Sequence, residues 1–512
     1  MEQKLIRTEF ISNKISMQVT SESEIIISDS QPDIKEIIYD CAVPAITFYN
    51  VSDGRINFKG IINENFIYIS KNSDKAVASA ENVVNFEDIM NVEGLDKGSC
   101  VMVKAILDRS EFRKINERKV SVRVVITIQA DIYASPEVVS VIPEEKDFVQ
   151  FLSKNSTARN HVYQNKNEFD IHETFSLPSS KGEADEILAK FSNINDVDTK
   201  ALGGGYRITG KICVDIIYLT GEKKNVESMR FELPFEENID NDFVTGGMYG
   251  KSSVNVLSMK AEVFQDSNGE KRIIDIDAVL NEVTDIFEDE KITYVTDAYS
   301  VKYPCKCSFE KIYLPESAGR NKARFNLKAM ASRTNGAEIM QIVSADADVV
   351  LDSVYAQNGV AAAEGIVNVT VIYIANDDLR PVYSVKTFIP FHQEVEINSL
   401  LEKDDILAKA YIDSVGFNIL NDSEIEISVS PVIDMEAYRV KRVNVLSDIE
   451  KEENAEEINM PAAVIYAVQP SDTLWDISKK YCAVKEDIMD VNGFETEDDI
   501  HNVKRILVMR KV

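Results

Sequence analysis

An internal repeat with a period of roughly 150 residues constrains this chain more than any other feature. Three glycines are each followed eight residues later by a tyrosine between aliphatic residues, and 17 or 18 residues after that by a phenylalanine. The three sets are Gly60, Tyr68 and Phe86; Gly210, Tyr218 and Phe235; and Gly365, Tyr373 and Phe391. Solenoid repeats are much shorter, about 20–50 residues. We therefore predict three domains in a row, each folded separately.

The repeats have the period of two that is typical of half-buried strands. From Tyr206 to Tyr218 every second residue is apolar except Gly210, and each repeat closes with a β-rich run, at 120–133, 273–287 and 425–438. Segments 33–40 and 183–191 instead have helical spacing, so we predict two helices packed on the sheets. The fold class that follows is α+β, mainly β.

The last fifty residues have a different pattern. We predict a strand at 464–468, a helix at 473–481 capped by Ser471 or Asp472, a second helix at 485–491 and a closing strand at 506–509. Ile488 and Val491 are expected to face inward from the second helix. This order makes a small βααβ domain.

Between the repeats and this domain, residues 441–462 are acidic and contain few large apolar groups. We predict a solvated linker there. The predicted organisation is 1–145, 146–300 and 301–440 for the three repeats, 441–462 for the linker and 463–512 for the last domain.

The charge of the chain limits its partners. It has 512 residues with 86 Asp and Glu against 56 Lys and Arg, a net charge of -30. Phosphate backbones and anionic lipids repel such a chain, so we expect neither nucleic acid binding nor direct membrane insertion. The N-terminus lacks the pattern of a signal peptide, and no apolar run approaches the roughly 20 residues that span a bilayer, so we expect a cytoplasmic start.

No motif in the sequence indicates catalysis. Gly205 to Lys211 matches the start of a P-loop, but Ile212 follows where a Ser or Thr would hold magnesium, and the segment alternates as a strand. The pair Cys305 and Cys307 has no second Cys/His pair at metal-binding spacing. A pair of catalytic carboxylates needs no local motif and stays open. We expect no enzyme activity, no catalytic residue, no metal and no cofactor.

Residues 466–481, together with Asn492, resemble the LysM domain. LysM domains usually bind N-acetylglucosamine polymers such as peptidoglycan. Carried over, the resemblance implies a groove between two loops, and Trp475 is either a core residue of this domain or an exposed contact. The expected partner-binding residues are Ser471, Asp472, Thr473, Leu474, Trp475, Asn492, Ile500, His501, Asn502 and Val503. The family's glycines are replaced at Ser471, Cys482 and Val503, which makes glycan binding doubtful.

The repeats resemble the SPOCS domain of clostridial and bacillar spore coat proteins. The resemblance is carried by Pro32-Asp33-Ile34, by the Gly to Ile-Tyr strands, and by the turns at Pro234-Phe235-Glu236 and Pro390-Phe391. Three such units before a LysM domain resemble a family of clostridial spore coat morphogenetic proteins. This implies a protein of the mother-cell cytoplasm that sits at the forespore surface and binds a SpoIVA-like coat ATPase through its LysM domain, besides other coat proteins.

Three hypotheses for function follow. The first is a non-enzymatic adaptor of spore coat assembly, with three domains forming an extended acidic body. The second is a peptidoglycan- or cortex-binding protein that uses the LysM domain as a glycan module. The third is a wall hydrolase with a LysM targeting module, for which the sequence offers no catalytic constellation.

Overall fold

A computed structural model shows a chain made almost entirely of antiparallel strands, which confirms the mainly β fold class. It describes residues 3–8, 10–71, 75–97, 99–143, 148–221, 225–333, 338–357, 359–375, 377, 380–453 and 456–510. The predicted border at 145 lies outside the described residues. None of the helices among the described residues is long and apolar enough to cross a membrane.

Each repeat is a sandwich of two antiparallel sheets. Repeat 1 contains β1 (Gln3–Arg7), β2 (Phe10–Ile26), β3 (Ile34–Ser52), β4 (Arg55–Ser70), β5 (Val77–Asn91), β6 (Val101–Asn116), β7 (Lys119–Ala134) and β8 (Glu137–Val141). Repeat 2 contains β9 (Val149–Ser176), β10 (Glu186–Leu202), β11 (Gly205–Thr220), β12 (Asn225–Asp240), β13 (Tyr249–Phe264) and β14 (Ile273–Ser300). Repeat 3 contains β15 (Cys305–Arg324), β16 (Leu327–Ser332), β17 (Ile339–Gln357), β18 (Val360–Ala375), β19 (Val382–Glu396), β20 (Asp405–Asn421) and β21 (Glu424–Lys451).

The two sheets of a sandwich have different topologies. One is a meander of three consecutive strands, β3-β4-β5, β10-β11-β12 or β17-β18-β19. The other has the last long strand of the repeat in its centre, as in β2-β7-β6 and β13-β14-β9. Each sandwich has its own apolar core between these sheets. The last domain contains β22 (Ala463–Ala467), helices α1 (Leu474–Lys480) and α2 (Lys485–Asn492), a 3-10 helix (Glu497–Asn502) and β23 (Arg505–Met509).

The repeated glycine and phenylalanine are cross-strand partners. Gly60 lies opposite Phe86, and the other two pairs face each other in the same way. A Cβ atom on Gly60 would collide with the Phe86 ring and with the carbonyl oxygen of Ala45. The glycine therefore makes room for an aromatic ring that lies across the strand.

The repeated tyrosine lies where the middle strand of each meander is buried on both faces. Tyr68 packs in the core of its own sandwich, whereas its neighbours Ile67 and Ile69 face the other way into a second cluster. This common core takes residues from all three repeats: Ile38, Tyr39, Ile67, Ile69 and Val77; Leu188, Ala189, Phe191, Ile217, Leu219 and Val226; and Val343, Ile372 and Val382. The prediction of three separate domains in an extended row is wrong, because the repeats share buried apolar surface.

The repeats close into a ring around the common core. Strand β5 contacts β10, β12 contacts β17, and β19 contacts β3. Ser228 donates its hydroxyl hydrogen to the carbonyl oxygen of Val343 in the next repeat, and Ser384 donates to that of Ile38. Each repeat therefore meets the next one through the same two strands, which gives the ring a pseudo-threefold axis.

The two predicted helices, 33–40 and 183–191, are strands. A β-bulge at Ile38 in β3 and another at Leu188 in β10 interrupt the pairing. The extra residue shifts the alternation by one position, so that Ile37 packs on the sandwich core while Ile38 enters the common core. Two adjacent apolar residues produce helical spacing in a strand that is buried on both faces.

A stalk of three two-stranded ribbons extends from the ring. The ribbons are β1 with β8, the start of β9 with the end of β14, and the start of β15 with the end of β21. Ile6, Ile292 and Ile312, one from each ribbon, meet in a shared apolar cluster. In repeat 1 the ribbon is separated from the sandwich, since Pro136 lacks an amide hydrogen for the ladder.

Half of the predicted acidic linker belongs to the stalk. Residues 441–451 continue strand β21 and pair with β15, from Lys441 opposite Leu314 to Lys451 opposite Cys305. The acidic residues Asp448 and Glu450 lie on either side of the buried Ile449, which is the pattern of a strand. Residues beyond 451 connect to the last domain.

We predict that alanine is tolerated differently at the three repeated glycines. At Gly60 and Gly365 a Cβ meets a fixed backbone carbonyl as well as a ring, whereas at Gly210 it meets the ring of Phe235. Gly60→Ala and Gly365→Ala should each lower the free energy of unfolding by roughly 1–3 kcal/mol, and Gly210→Ala by less, because a ring can shift. Urea denaturation followed by circular dichroism measures this. Equal losses at all three sites would contradict the contact geometry.

Glu282 is a carboxyl group in the apolar core of repeat 2. Counted from the last hairpin, it occupies the position of Ile128 in repeat 1 and Ile433 in repeat 3. It is fully buried; Oε1 accepts a hydrogen bond from Tyr206 at 3.3 Å, and Oε2 has no partner among the described residues. Burial raises the pKa of this carboxyl to about 7.

Glu282→Gln should therefore stabilise the protein at neutral and alkaline pH. Between its ordinary pKa of 4.5 and about 7, the folded state holds a proton that the unfolded state releases, so stability falls as the pH rises through this window. Glutamine cannot ionise and escapes that loss, which amounts to roughly 3 kcal/mol. Unfolding at about pH 5 and about pH 8 measures the gain, with exposed Glu173→Gln as control. The same gain at both pH values would contradict the raised pKa.

Candidate functional site

The C-terminal domain starts its first helix with a threonine cap. The side chain of Thr473 accepts a hydrogen bond from the amide of Asp476 at 3.1 Å, and helix α1 begins at Leu474. The predicted caps were Ser471 and Asp472, and both are wrong. The Asp472 carboxylate instead accepts from the amide of Gln469 at 2.8 Å and closes the preceding turn.

Asn492 fastens helix α2 to the closing strand. Its side-chain amide donates to the carbonyl oxygens of Ile488 and Leu507, both at 2.7 Å, and its oxygen accepts from the Leu507 amide at 2.8 Å. These bonds use the whole amide group, so Asn492 has a structural role. Val491, predicted to face inward, is exposed, because α2 ends at the next residue and turns away at Gly493.

The two loops that are predicted to border the groove meet through buried residues. Leu474 from the first loop and Ile500 from the second both lie in the core of this domain, each 1% exposed. The residues beside them are open to solvent. This exposed rim consists of Ser471 and Thr473 on one side and His501 and Asn502 on the other.

Two of the positions expected to crowd the groove lie elsewhere. Val503 is half-buried against the core of the domain. Cys482 follows the C-terminus of α1 with a φ of 49°, in the left-handed region that favours glycine. Its carbonyl oxygen accepts from Arg510, which also donates to the carbonyl oxygen of Val301, directly after β14. Of the three replaced glycines, Ser471 alone places a side chain on the rim.

Trp475 connects the C-terminal domain to the stalk. Its indole Nε1 donates to a carboxylate oxygen of Asp297 at 2.9 Å, and its ring packs edge-on against Tyr299 at 5.0 Å. Lys479 pairs with the same carboxylate at 2.7 Å, and Tyr299 donates to the carbonyl oxygen of Ala483 at 2.7 Å. Trp475 is 5% exposed and is absent from the core of its own domain. The sequence left open whether it is core or contact, and the structure makes it an interdomain contact.

The C-x-C pair lies at the same junction. Cys305 and Cys307 pack on the apolar cluster at the end of the stalk. A hydrogen bond between the two thiols lowers the pKa of Cys305 to about 7 and raises that of Cys307. Among the described residues, this pair belongs to no group of three potential metal ligands.

Comparisons with known proteins identify four regions of the chain. The model of the SipL SPOCS domain matches residues 33–115, 183–263 and 338–420, from the first meander strand of each repeat to the first strand after the meander. The LysM domain model matches residues 466–508. No curated protein and no solved structure matches the chain. Both domain assignments from the sequence are confirmed.

We predict that Asp297→Lys releases the C-terminal domain from the stalk. The substitution removes the acceptor of Trp475 and places a like charge beside Lys479. Trp475 is the only tryptophan, so its fluorescence reports the contact directly. The emission maximum should shift to the red and acrylamide should quench it more strongly. Asp277→Lys, at the exposed far end of the same strand, should change neither quantity; an unchanged emission in Asp297→Lys would contradict the docking.

Proposed function

Because it joins three SPOCS domains to a C-terminal LysM domain, this chain is a SipL-like, sporulation-related protein, and we propose that it is a non-enzymatic adaptor of spore coat assembly. In this proposal it works in the mother-cell cytoplasm at the forespore surface. Its LysM domain binds a SpoIVA-like coat ATPase, and the ring of repeats offers surfaces to other coat proteins.

The observation that carries the proposal is the way the LysM domain is held. One of its faces is occupied by Asp297 and Tyr299 of repeat 2, through Trp475. The rim of Ser471, Thr473, His501 and Asn502 stays exposed. An adaptor needs such an arrangement, since a domain fixed to the body presents its free face to a partner in one orientation.

The composition of the domains supports a role without catalysis. Neither SPOCS nor LysM is a known enzyme family. The segment that resembles a P-loop lies in strand β11, and its Lys211 pairs with Glu232 at 3.4 Å and Asp196 at 3.6 Å. A phosphate-binding loop needs the turn between a strand and a helix, so this segment offers no site of that kind.

The second candidate is a peptidoglycan- or cortex-binding protein. The replaced glycines made glycan binding doubtful, but the side chains of Val503 and Cys482 do not enter the space between the two sides of the rim. A sugar chain would then lie between the same exposed residues. The two candidate functions would use the same site and differ in the ligand that binds there.

We predict that rim substitutions weaken binding of the coat ATPase. Ser471→Arg and His501→Glu change the charge of exposed side chains and should leave the fold intact. In a titration of the full-length chain with a SpoIVA-like ATPase, each variant should lower the affinity about tenfold or more, since central interface residues dominate binding. Asp490→Arg, exposed on α2 away from the rim, is the matched control and should bind as the unchanged chain does.

The same chains are titrated with peptidoglycan and chitin oligomers. Sugar binding that the rim variants abolish, with no binding of the ATPase, would replace the adaptor by the wall-binding function. The Trp475 emission of each variant shows whether the LysM domain remains docked, so that a loss of binding is not confused with a loss of structure.

A further inference from the structure

A buried carboxylate recurs at one position in all three repeats. Counted from the last hairpin of each repeat, it is Asp131 in β7, Asp285 in β14 and Glu436 in β21. The three residues are 5%, 1% and 5% exposed. They lie where the sandwiches pass into the stalk, and a carboxylate buried there needs a compensating charge.

Two of these carboxylates are compensated by lysine or arginine. Glu436 forms ion pairs with Arg159 and Lys251 of the neighbouring repeat 2. Asp131 pairs with Lys104 of its own repeat at 3.8 Å. At these two positions the charge is balanced by protein cations alone.

The third carboxylate has a different environment. Among the described residues, the ion-pair partner of Asp285 is His161, with its Nε2 atom 2.9 Å from a carboxylate oxygen. Cys100 of repeat 1 completes a group in which the thiol sulfur, an imidazole nitrogen and a carboxylate oxygen all lie within 4.8 Å of one another. The group therefore bridges repeats 1 and 2.

We propose that Cys100, His161 and Asp285 bind one divalent transition metal ion of the zinc class, which fastens repeat 1 to repeat 2. Thiolate, imidazole and carboxylate are the three kinds of side chain that coordinate zinc in proteins. Metal–ligand distances of about 2.0–2.3 Å to a central ion put the ligand atoms roughly 3–4 Å apart. The observed group needs little rearrangement to reach that spacing.

The surrounding residues orient these ligands. The imidazole of His161 stacks on Tyr133 at 5.4 Å and packs against Phe287 at 5.3 Å. Gln164 donates its side-chain amide to the same oxygen of Asp285 at 2.9 Å. Such contacts around metal ligands fix the ring and the carboxylate and are typical of metal sites.

A cavity lies between the same two repeats, and none of the three proposed ligands is among the residues that line it. It has a volume of about 530 Å³ and is lined by Tyr49, Met102 and Lys166, among others. The hydroxyl of Tyr49 donates to the carbonyl oxygen of Val101, next to Cys100. The ammonium group of Lys166 lies over the Tyr49 ring, 3.0 Å from its centre, on the cavity wall.

The alternative is that His161, protonated, balances Asp285 without a metal. The two cases differ in their dependence on Cys100, which a histidine–aspartate pair does not require. A second group of possible ligands, His172 with Asp275 and Asp277, has exposed members on open strands and is an ordinary surface ion-pair group.

The test is the metal content of the full-length chain. The chain is loaded with Zn²⁺ or Co²⁺, freed of excess metal by gel filtration, and measured by native mass spectrometry and by the thiolate-to-cobalt absorption band. The unchanged chain should hold one ion. Cys100→Ser and His161→Gln should lose it, and the absorption band with it. The double variant Cys305→Ser/Cys307→Ser is the matched control and should keep both.

Thermal unfolding adds a second readout. Zinc should raise the melting temperature of the unchanged chain but not that of Cys100→Ser, because an ion stabilises only the state that binds it. Should Cys100→Ser not fold, Gln164→Ala keeps all three ligands and should lower metal affinity by roughly 10–100-fold. A metal-free chain after loading, or metal that persists in Cys100→Ser and disappears in the control, would overturn the proposal.

Discussion

One end of each meander sheet is buried on both of its faces. This double burial holds the molecule together. One face of β4, β11 and β18 covers the core of its own sandwich, and the other meets its two counterparts on the pseudo-threefold axis. A small sheet with a second apolar face cannot be stable in water alone, because that face would stay exposed. Each repeat therefore needs the other two, and the ring and its stalk follow from this requirement.

The ring also explains why similar repeats contain different charged residues. Within a ring of three, each repeat meets its neighbours at interfaces that are alike in geometry but free to differ in sequence. The carboxylate at the base of the stalk is the clearest case. In repeat 3 it is compensated across the interface by Arg159 and Lys251, and in repeat 1 by Lys104 of the same repeat, while Asp285 of repeat 2 lies beside Cys100 and His161.

In the C-terminal domain, docking onto the stalk determines the role of Trp475. The single tryptophan of this chain lies in a LysM domain, where a ligand contact would be one expected role. Here the indole is bonded to Asp297 of repeat 2, so it fixes the domain instead. The rim of Ser471, Thr473, His501 and Asn502 stays exposed, and its orientation relative to the ring is set by that contact.

The sequence by itself determined the three repeats, the mainly β class, the LysM domain and the absence of a P-loop turn, because period-two alternation and short motifs are local properties. It could not show that Ile38 and Leu188 mark bulges, since two adjacent apolar residues have the same spacing in a helix as in a strand buried on both faces. It also missed the group of Cys100, His161 and Asp285, whose members are 61 and 124 residues apart with no local spacing to reveal them. Only the tertiary structure decided the ring, the docked Trp475 and that group, because long-range packing brings those residues together.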